Sequence, residues 1–193
     1  MLNISKKIFL ASKSPRRREL LSELQIPFKT IEIKVEETVP DEILSSETAL
    51  FLAEKKAKEC EVDGEDDIII TADTIVIYGG EILGKPIDFK EAEFMLKKLS
   101  GKVHEVITGV CLKSKRGLES FQVKTYVEFD ILTQEQINFY INEFKPFDKA
   151  GAYGIQEWIG MIGIRKIEGD YFNVVGLPLF ELHKRLSKYI SHT

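Results

Sequence analysis

The stretch KIFLASKSPRRRELL, residues 7–21, sets the reading of the whole chain. Lys7 to Ala11 is a short apolar run of strand length, and Ser14 followed by Pro15 is an N-cap and first-turn pair opening a helix that carries Leu20, Leu21 and Leu24. Strand, tight loop and helix in immediate succession begin an α/β layered arrangement. The helix start carries Arg16, Arg17 and Arg18 where Asp or Glu is usual. Cations at that end oppose the helix dipole by about 0.3–1 kcal/mol each. A phosphate reverses the balance, since charge-assisted hydrogen bonds contribute about 1.5–3 kcal/mol each and the free N–H groups of a first turn point at an anion. Small Ser12 and Ser14 admit a ligand closely and add hydroxyl donors. The segment reads as a phosphate cradle; the alternative is a solvated basic helix start paired with nearby acids.

Working outward, Ile31, Ile33 and Val35 alternate with Glu32 and Lys34, which predicts a half-buried strand running out into Glu36 and Glu37. A helix is expected from about Glu47 to Cys60, with Leu50, Ala53 and Ala57 at helical spacing. Ile68 to Ile70 and Ile75 to Ile77 are strand-like runs before the turn pair Gly79, Gly80, and Asp73 interrupts them. Asp88 with Glu91 caps the next helix, which Ser100 and Gly101 end. Two long strands follow, about Val103 to Leu112 and Phe121 to Ile131. Thr133 with Gln136 forms a capping box ahead of Ile137, Tyr140 and Ile141, and the Gly-rich Asp148 to Gln156 is a loop. A last helix starts at Pro178 and buries Leu179, Leu182, Leu186 and Ile190. Interleaved strands and helices favour an α/β fold, and the adjacent strands between Val103 and Ile131 make its sheet mixed.

A chain of 193 residues with 44% hydrophobic content supports one substantial core, hence one domain over 1–193, divided by a cleft. Charged residues at 30% and a mean hydropathy of -0.11 place it among soluble globular proteins. No run approaches the roughly 20 apolar residues that span a bilayer, and the opening apolar run is too short for a signal peptide, so cytoplasm is the default. Cys60 and Cys111 lack ligand spacing and read as reduced, buried thiols. A net charge of -4 argues against general nucleic-acid binding. There is no GxxxxGK[ST] loop and no GxGxxG after the first strand, and His104, His183 and His192 show no HExxH spacing. Trp158 reads as packing or partner contact.

Asp73, inside TADTIV, sits between apolar β-branched runs, where an unpaired carboxylate is costly. Either it is paired structurally or it holds a metal and water; magnesium needs only one or two carboxylates plus substrate phosphate oxygens, which Glu36 or Glu37 with Asp73 would supply. Lys85, in the rigid turn Gly84, Lys85, Pro86, is placed to meet phosphate, whereas Lys56 on its helix is equally compatible with solvent. In DKAGAYGIQ, Gln156 offers an amide donor and acceptor for a base edge, against the alternative of an ordinary surface loop.

Together these segments resemble the Maf family of nucleotide pyrophosphatases, through SKSPRRRELL, VEETVPDE, LAEKKAKE, TADTIV, GKPID, MLKKLSGKVHEVITGV, DKAGAYGIQ and GDYFNVVGLPL in family order. The resemblance implies a mixed β-sheet with flanking helices, in two lobes around a deep cleft. It implies hydrolysis of dTTP and UTP to the monophosphate and pyrophosphate with Mg²⁺ or Mn²⁺, in a homodimer. By position, Asp73 matches the family's proton acceptor and Glu37 an acidic residue of the metal site. Ser12, Arg16, Arg17, Lys56 and Lys85 match the phosphate-binding set, and Arg16, Thr74 and Gln156 the positions tied to substrate choice. SPRR and GAYGIQ look like the dTTP/UTP branch rather than the 7-methyl-GTP branch. One departure stands out: members of this branch often have glycine after the glutamine, whereas Glu157 and Trp158 follow it here. The family's rival readings are house-cleaning of modified pyrimidine nucleotides and a nucleotide-binding regulator of septum formation without essential turnover.

Overall fold

In the computed structural model, which describes residues 7–189, the first segment folds as its sequence demands. Strand β1 (Ile8–Ala11) leads through a three-residue loop into helix α1 (Pro15–Glu23), where Ser14 accepts from Arg17 N and Pro15 takes the first turn. Strand β2 (Phe28–Ile31) lies parallel to β1, with Ile8 opposite Phe28 and Ala11 opposite Ile31. The strand expected over Ile31 to Val35 therefore sits one segment earlier. β1 ends at Ala11, so residues beyond Ile31 have no ladder partner on it, although Ile33 still packs on the cluster of Ala11, Cys60 and Ile69.

A single turn of 3₁₀ helix (Ser45–Glu47) precedes α2 (Thr48–Lys58). Strand β3 (Ile68–Tyr78) then runs unbroken through Asp73, which the sequence marks as an interruption. The glycine pair Gly79, Gly80 turns the chain into β4 (Glu81–Leu83), antiparallel to β3. Helix α3 (Phe89–Leu99) starts on Asp88, which accepts from Glu91 N, and β5 (Val103–Ser114) and β6 (Gly117–Phe129) follow. Helix α4 (Gln134–Phe144) has both halves of the expected capping box. Short elements that the sequence pattern leaves unread come next: α5 (Trp158–Gly163), β7 (Ile164–Glu168) and α6 (Tyr171–Val175). Helix α7 (Leu179–Leu186) begins after Pro178 and buries Leu179, Leu182 and Leu186; Ile190 lies outside the described residues. The sheet is mixed, in the order β2-β1-β3-β5-β6-β7 with β4 on β3, and helices flank it. No helix among the described residues is long and apolar enough to cross a membrane.

The described chain divides into two compact units, one of residues 7–73, 108–123 and 176–189, the other of 74–107 and 124–175. In the first, α2 lies against β3 and β5 through small residues. Ala53 and Ala57 pack on Cys111, and Gly109 comes so near that a Cβ on it would lie 2.4 Å from Leu50 N. Thr71 Oγ1 donates to the Ala53 carbonyl at 2.7 Å, fixing the helix lengthwise. Both cysteines are buried and unbridged, and burial pushes the Cys111 thiol up to about 12.

In the second unit the core joins Leu96, Leu99, Ile137, Tyr140, Phe129 and Ile159, large side chains whose burial is worth about 1.5–3 kcal/mol each. It also encloses a polar pair: His104 Nε2 lies 2.7 Å from Tyr153 Oη, with the imidazole stacked on Phe129. Burial holds His104 down to about 4, so it stays neutral in the folded state.

Two outcomes follow. Gly109→Ala drives a methyl into the α2 backbone and is expected to cost about 2–4 kcal/mol, read from the denaturant midpoint. The unfolded chain protonates its histidine near 6.5 while folded His104 resists until about 4, so stability falls as pH drops through that window. His104→Gln should shallow this acid limb by up to about 1.4 kcal/mol per pH unit in urea titrations against the parent chain.

Candidate active site

The first unit collects the charged residues. The loop after β1 is braced by its own hydroxyls: Ser14 N donates to Ser12 Oγ at 3.2 Å and Arg17 N to Ser14 Oγ at 3.4 Å. Helix α1 has no acid in its first turn, so its start remains cationic. Arg18 is exposed, whereas Arg16 and Arg17 are partly covered. Arg17 is committed to the fold: Nη1 donates to the Ala72 carbonyl and Nε to the Gly176 carbonyl, both at 2.8 Å. This grips the residue before Asp73 and ties α1 to the chain entering α7. Burial lowers the Arg17 pKa, the charges of Asp73 and Glu37 oppose that, and Arg16 adds to it. Arg17 thus feels the charges of the other three groups. Nothing in the sequence pattern signalled the two carbonyl contacts.

The centre of this cluster is Lys56. Its ammonium lies 2.6 Å from Asp73 Oδ1 and 2.6 Å from Glu37 Oε1, with Lys56 and Asp73 side chains each 12% exposed and Glu37 49% exposed. Two periodicities dictate the meeting. Thr71 and Asp73 share one face of β3, because side chains alternate along a strand, and Ala53 and Lys56 are three apart on one face of α2. Once Thr71 bonds Ala53, Asp73 and Lys56 are the next pair in line. Lys56 is therefore not the solvent-facing residue its helix pattern allowed, and Asp73 is the paired carboxylate that its strand context required. Glu36, next to Glu37, is exposed.

Does a divalent cation suit these residues? Among the described residues no group of three or more His, Cys, Asp or Glu side chains could enclose a metal ion. Two carboxylates converging on one ammonium nevertheless form a place already arranged for positive charge, and magnesium is held by one or two carboxylates with substrate oxygens completing its shell. Glu37 and Asp73 fit that pattern.

The second unit holds the other predicted residues. Thr74 follows Asp73 along β3 and is half-buried, and Lys85 is exposed in the turn between β4 and α3. Gly151 N donates to the Gly84 carbonyl at 3.0 Å, which joins the Lys85 turn to the segment ending in Gln156. Gln156 is half-buried, and its Oε1 is buried with no hydrogen-bond partner. That segment includes one 3₁₀ turn, Ala150–Ala152, inside the expected loop. Trp158 packs edge-on against Phe139 at 4.7 Å between centroids, consistent with a packing role.

A family model described as Maf-like protein matches residues 7–189. A dTTP/UTP pyrophosphatase of Phocaeicola vulgatus is 51% identical over 184 residues, 94% of this chain and 95% of that one. One of Parabacteroides distasonis is 47% identical over 185 residues, 95% of this chain and 96% of that one. Among solved structures, a HAM1 protein from Coxiella burnetii is similar over 67% of this chain and 73% of that chain, at 17% identity and a TM-score of 0.43.

The carbonyl contacts of Arg17 make it structural in the absence of any nucleotide. Arg17→Lys loses the planar fork and should lower unfolding free energy by about 2 kcal/mol, whereas Arg18→Gln, on an exposed side chain, should change it by less than about 0.5 kcal/mol in the same denaturation assay.

Proposed function

Since the chain belongs to the Maf-like protein family, we propose that it is a nucleoside triphosphate pyrophosphatase that cleaves dTTP and UTP to the monophosphate and pyrophosphate by water attack on the α-phosphorus. The observation that carries this reading is the convergence of Glu37 and Asp73 on Lys56, beside the arginine-bearing start of α1. Carboxylates alone would repel a triphosphate, and cations alone would bind it without activating water. Phosphoryl-group chemistry needs both, because it depends on placing charge around the reacting phosphorus.

In this reading Asp73 takes the proton from the attacking water, held in position by Lys56 and by the Arg17 grip on Ala72. Lys56, Arg16, Arg17 and Lys85 neutralise the phosphates, Arg17 from a fixed place and by charge. Ser12 and the first-turn N–H groups of α1 add neutral donors. Thr74 and Gln156 are assigned to the base, together with Arg16. A bound Mg²⁺ or Mn²⁺ would be held by Glu37 and Asp73, where its chemistry is to offset phosphate charge and to make water more acidic. The residues 1–193 are read as one such catalytic domain, working in the cytoplasm as a homodimer on the strength of the family resemblance.

The test is a panel of canonical and modified nucleoside triphosphates with magnesium or manganese, with products identified. Equal yields of UMP or dTMP and pyrophosphate are expected; release of orthophosphate instead, or binding without any product, would overturn the reading. Asp73→Asn should lower kcat by about 10²–10⁴-fold, and unchanged turnover would remove Asp73 as the base.

A further inference from the structure

Gln156 owes its position to side chains outside the charged cluster. Two residues before it, Gly154 N donates to Tyr140 Oη at 3.0 Å. One residue after it, the Glu157 carboxylate accepts from the same Tyr140 hydroxyl and lies 3.0 Å from Lys149 Nζ. Lys149 also pairs with Asp148 at 2.7 Å. Glu157 N closes the turn on the Gly154 carbonyl at 3.0 Å. The chain on both sides of Gln156 is thus fastened to one phenol, by the Gly154 backbone before it and by the Glu157 carboxylate after it, and that phenol is itself fixed, because Tyr140 is fully buried in α4.

Such an arrangement has a cost unless rigidity is needed. Lys149 has a side chain 9% exposed and Glu157 one 21% exposed, so both ions give up most of their hydration for a short loop. Gly154 serves the same end, since a Cβ there would lie 2.8 Å from Glu157 Cδ and push the carboxylate off the phenol. Meanwhile Oε1 of Gln156, the residue between these two anchored neighbours, is buried without a partner. A buried unpartnered acceptor costs about 1–3 kcal/mol, which a ligand N–H would recover.

An amide reads a pyrimidine edge only if it cannot turn. Uracil and thymine present an N3–H donor beside the O4 acceptor, whereas cytosine presents an N3 acceptor beside an N4–H donor. A Gln free to rotate by half a turn satisfies either, and a fixed one satisfies one of them and opposes the other. We propose that Glu157, held by Tyr140 and Lys149, is a positioning residue that fixes the Gln156 amide and thereby makes the site reject cytosine nucleotides in favour of uracil and thymine nucleotides. The proposal rests on the pyrophosphatase reading for its substrate and deepens it by naming what sets the base choice.

The test uses the whole chain and two conservative variants, Glu157→Gln, which keeps shape and removes the charge, and Tyr140→Phe, which keeps the ring and removes the hydroxyl. Turnover is measured with UTP and CTP, and binding of UMP and CMP is measured separately by calorimetry. Both variants should lower the UTP to CTP ratio of kcat/KM by about tenfold, equivalent to one hydrogen bond of discrimination, through KM for UTP rather than kcat, with the UMP to CMP affinity ratio falling in step. Variants that slow both nucleotides equally and leave the ratio unchanged would overturn the proposal, as would a parent chain that binds UMP and CMP alike. A parent chain that prefers UMP but turns over no triphosphate would overturn the pyrophosphatase reading while leaving the clamp standing.

Discussion

The ion triplet of Glu37, Lys56 and Asp73 is the constraint on which the first unit depends. Asp73 sits inside an eleven-residue strand whose flanks are apolar and buried, and a lone carboxylate there would be penalised by several kcal/mol. Lys56 removes that penalty only because α2 is held close, and α2 is held close because Ala53, Ala57, Gly109 and Cys111 are small. The packing of a helix on a sheet and the placement of a buried, ion-paired carboxylate are therefore one problem with one solution.

Arg17 shows the same economy from the other side of Asp73. Its guanidinium holds the carbonyl of Ala72 while its Nε is anchored on the Gly176 carbonyl, so the strand backbone next to the carboxylate cannot shift without breaking the first bond or dragging Arg17 off the second. The proposed phosphate-neutralising cation is thus fixed in space, which would suit chemistry driven by electrostatic preorganisation, where groups that need not move at the moment of reaction contribute most.

How much of this was legible in the sequence depended on whether the signal was local. The Ser14, Pro15 start, the Asp88 cap and the Thr133, Gln136 box each act within one turn, and all three appear as read. Asp73 misled as a strand interruption because its compatibility with β3 comes from Lys56, seventeen residues away, and no period reports a tertiary partner. The alternation after Ile31 misled because a strand needs a neighbour as well as a pattern, and β1 had run out. The residues from Trp158 to Val175 form three elements of five or six residues, too short for periodicity to register. At the site, residue types pointed to Ser12, Arg16, Arg17, Glu37, Lys56 and Asp73, and the fold gathers these in one unit; the backbone duties of Arg17 and the fastening of Glu157 had no sequence signal beyond an unusual residue after Gln156.

The two units answer different physical demands. Charge acts over several ångströms and tolerates small displacements, so the first unit can assemble its ion cluster from an irregular segment, a helix and a strand. Hydrogen-bond recognition fails within a fraction of an ångström and a few tens of degrees, so the proposed reading of a base by Gln156 would demand a loop as stiff as a strand. Glycines make the segment around Gln156 flexible as a sequence, and the buried phenol, ammonium and carboxylate around it remove that flexibility in the folded state. The loop is thereby free to adopt a conformation that ordinary residues resist, and then prevented from leaving it.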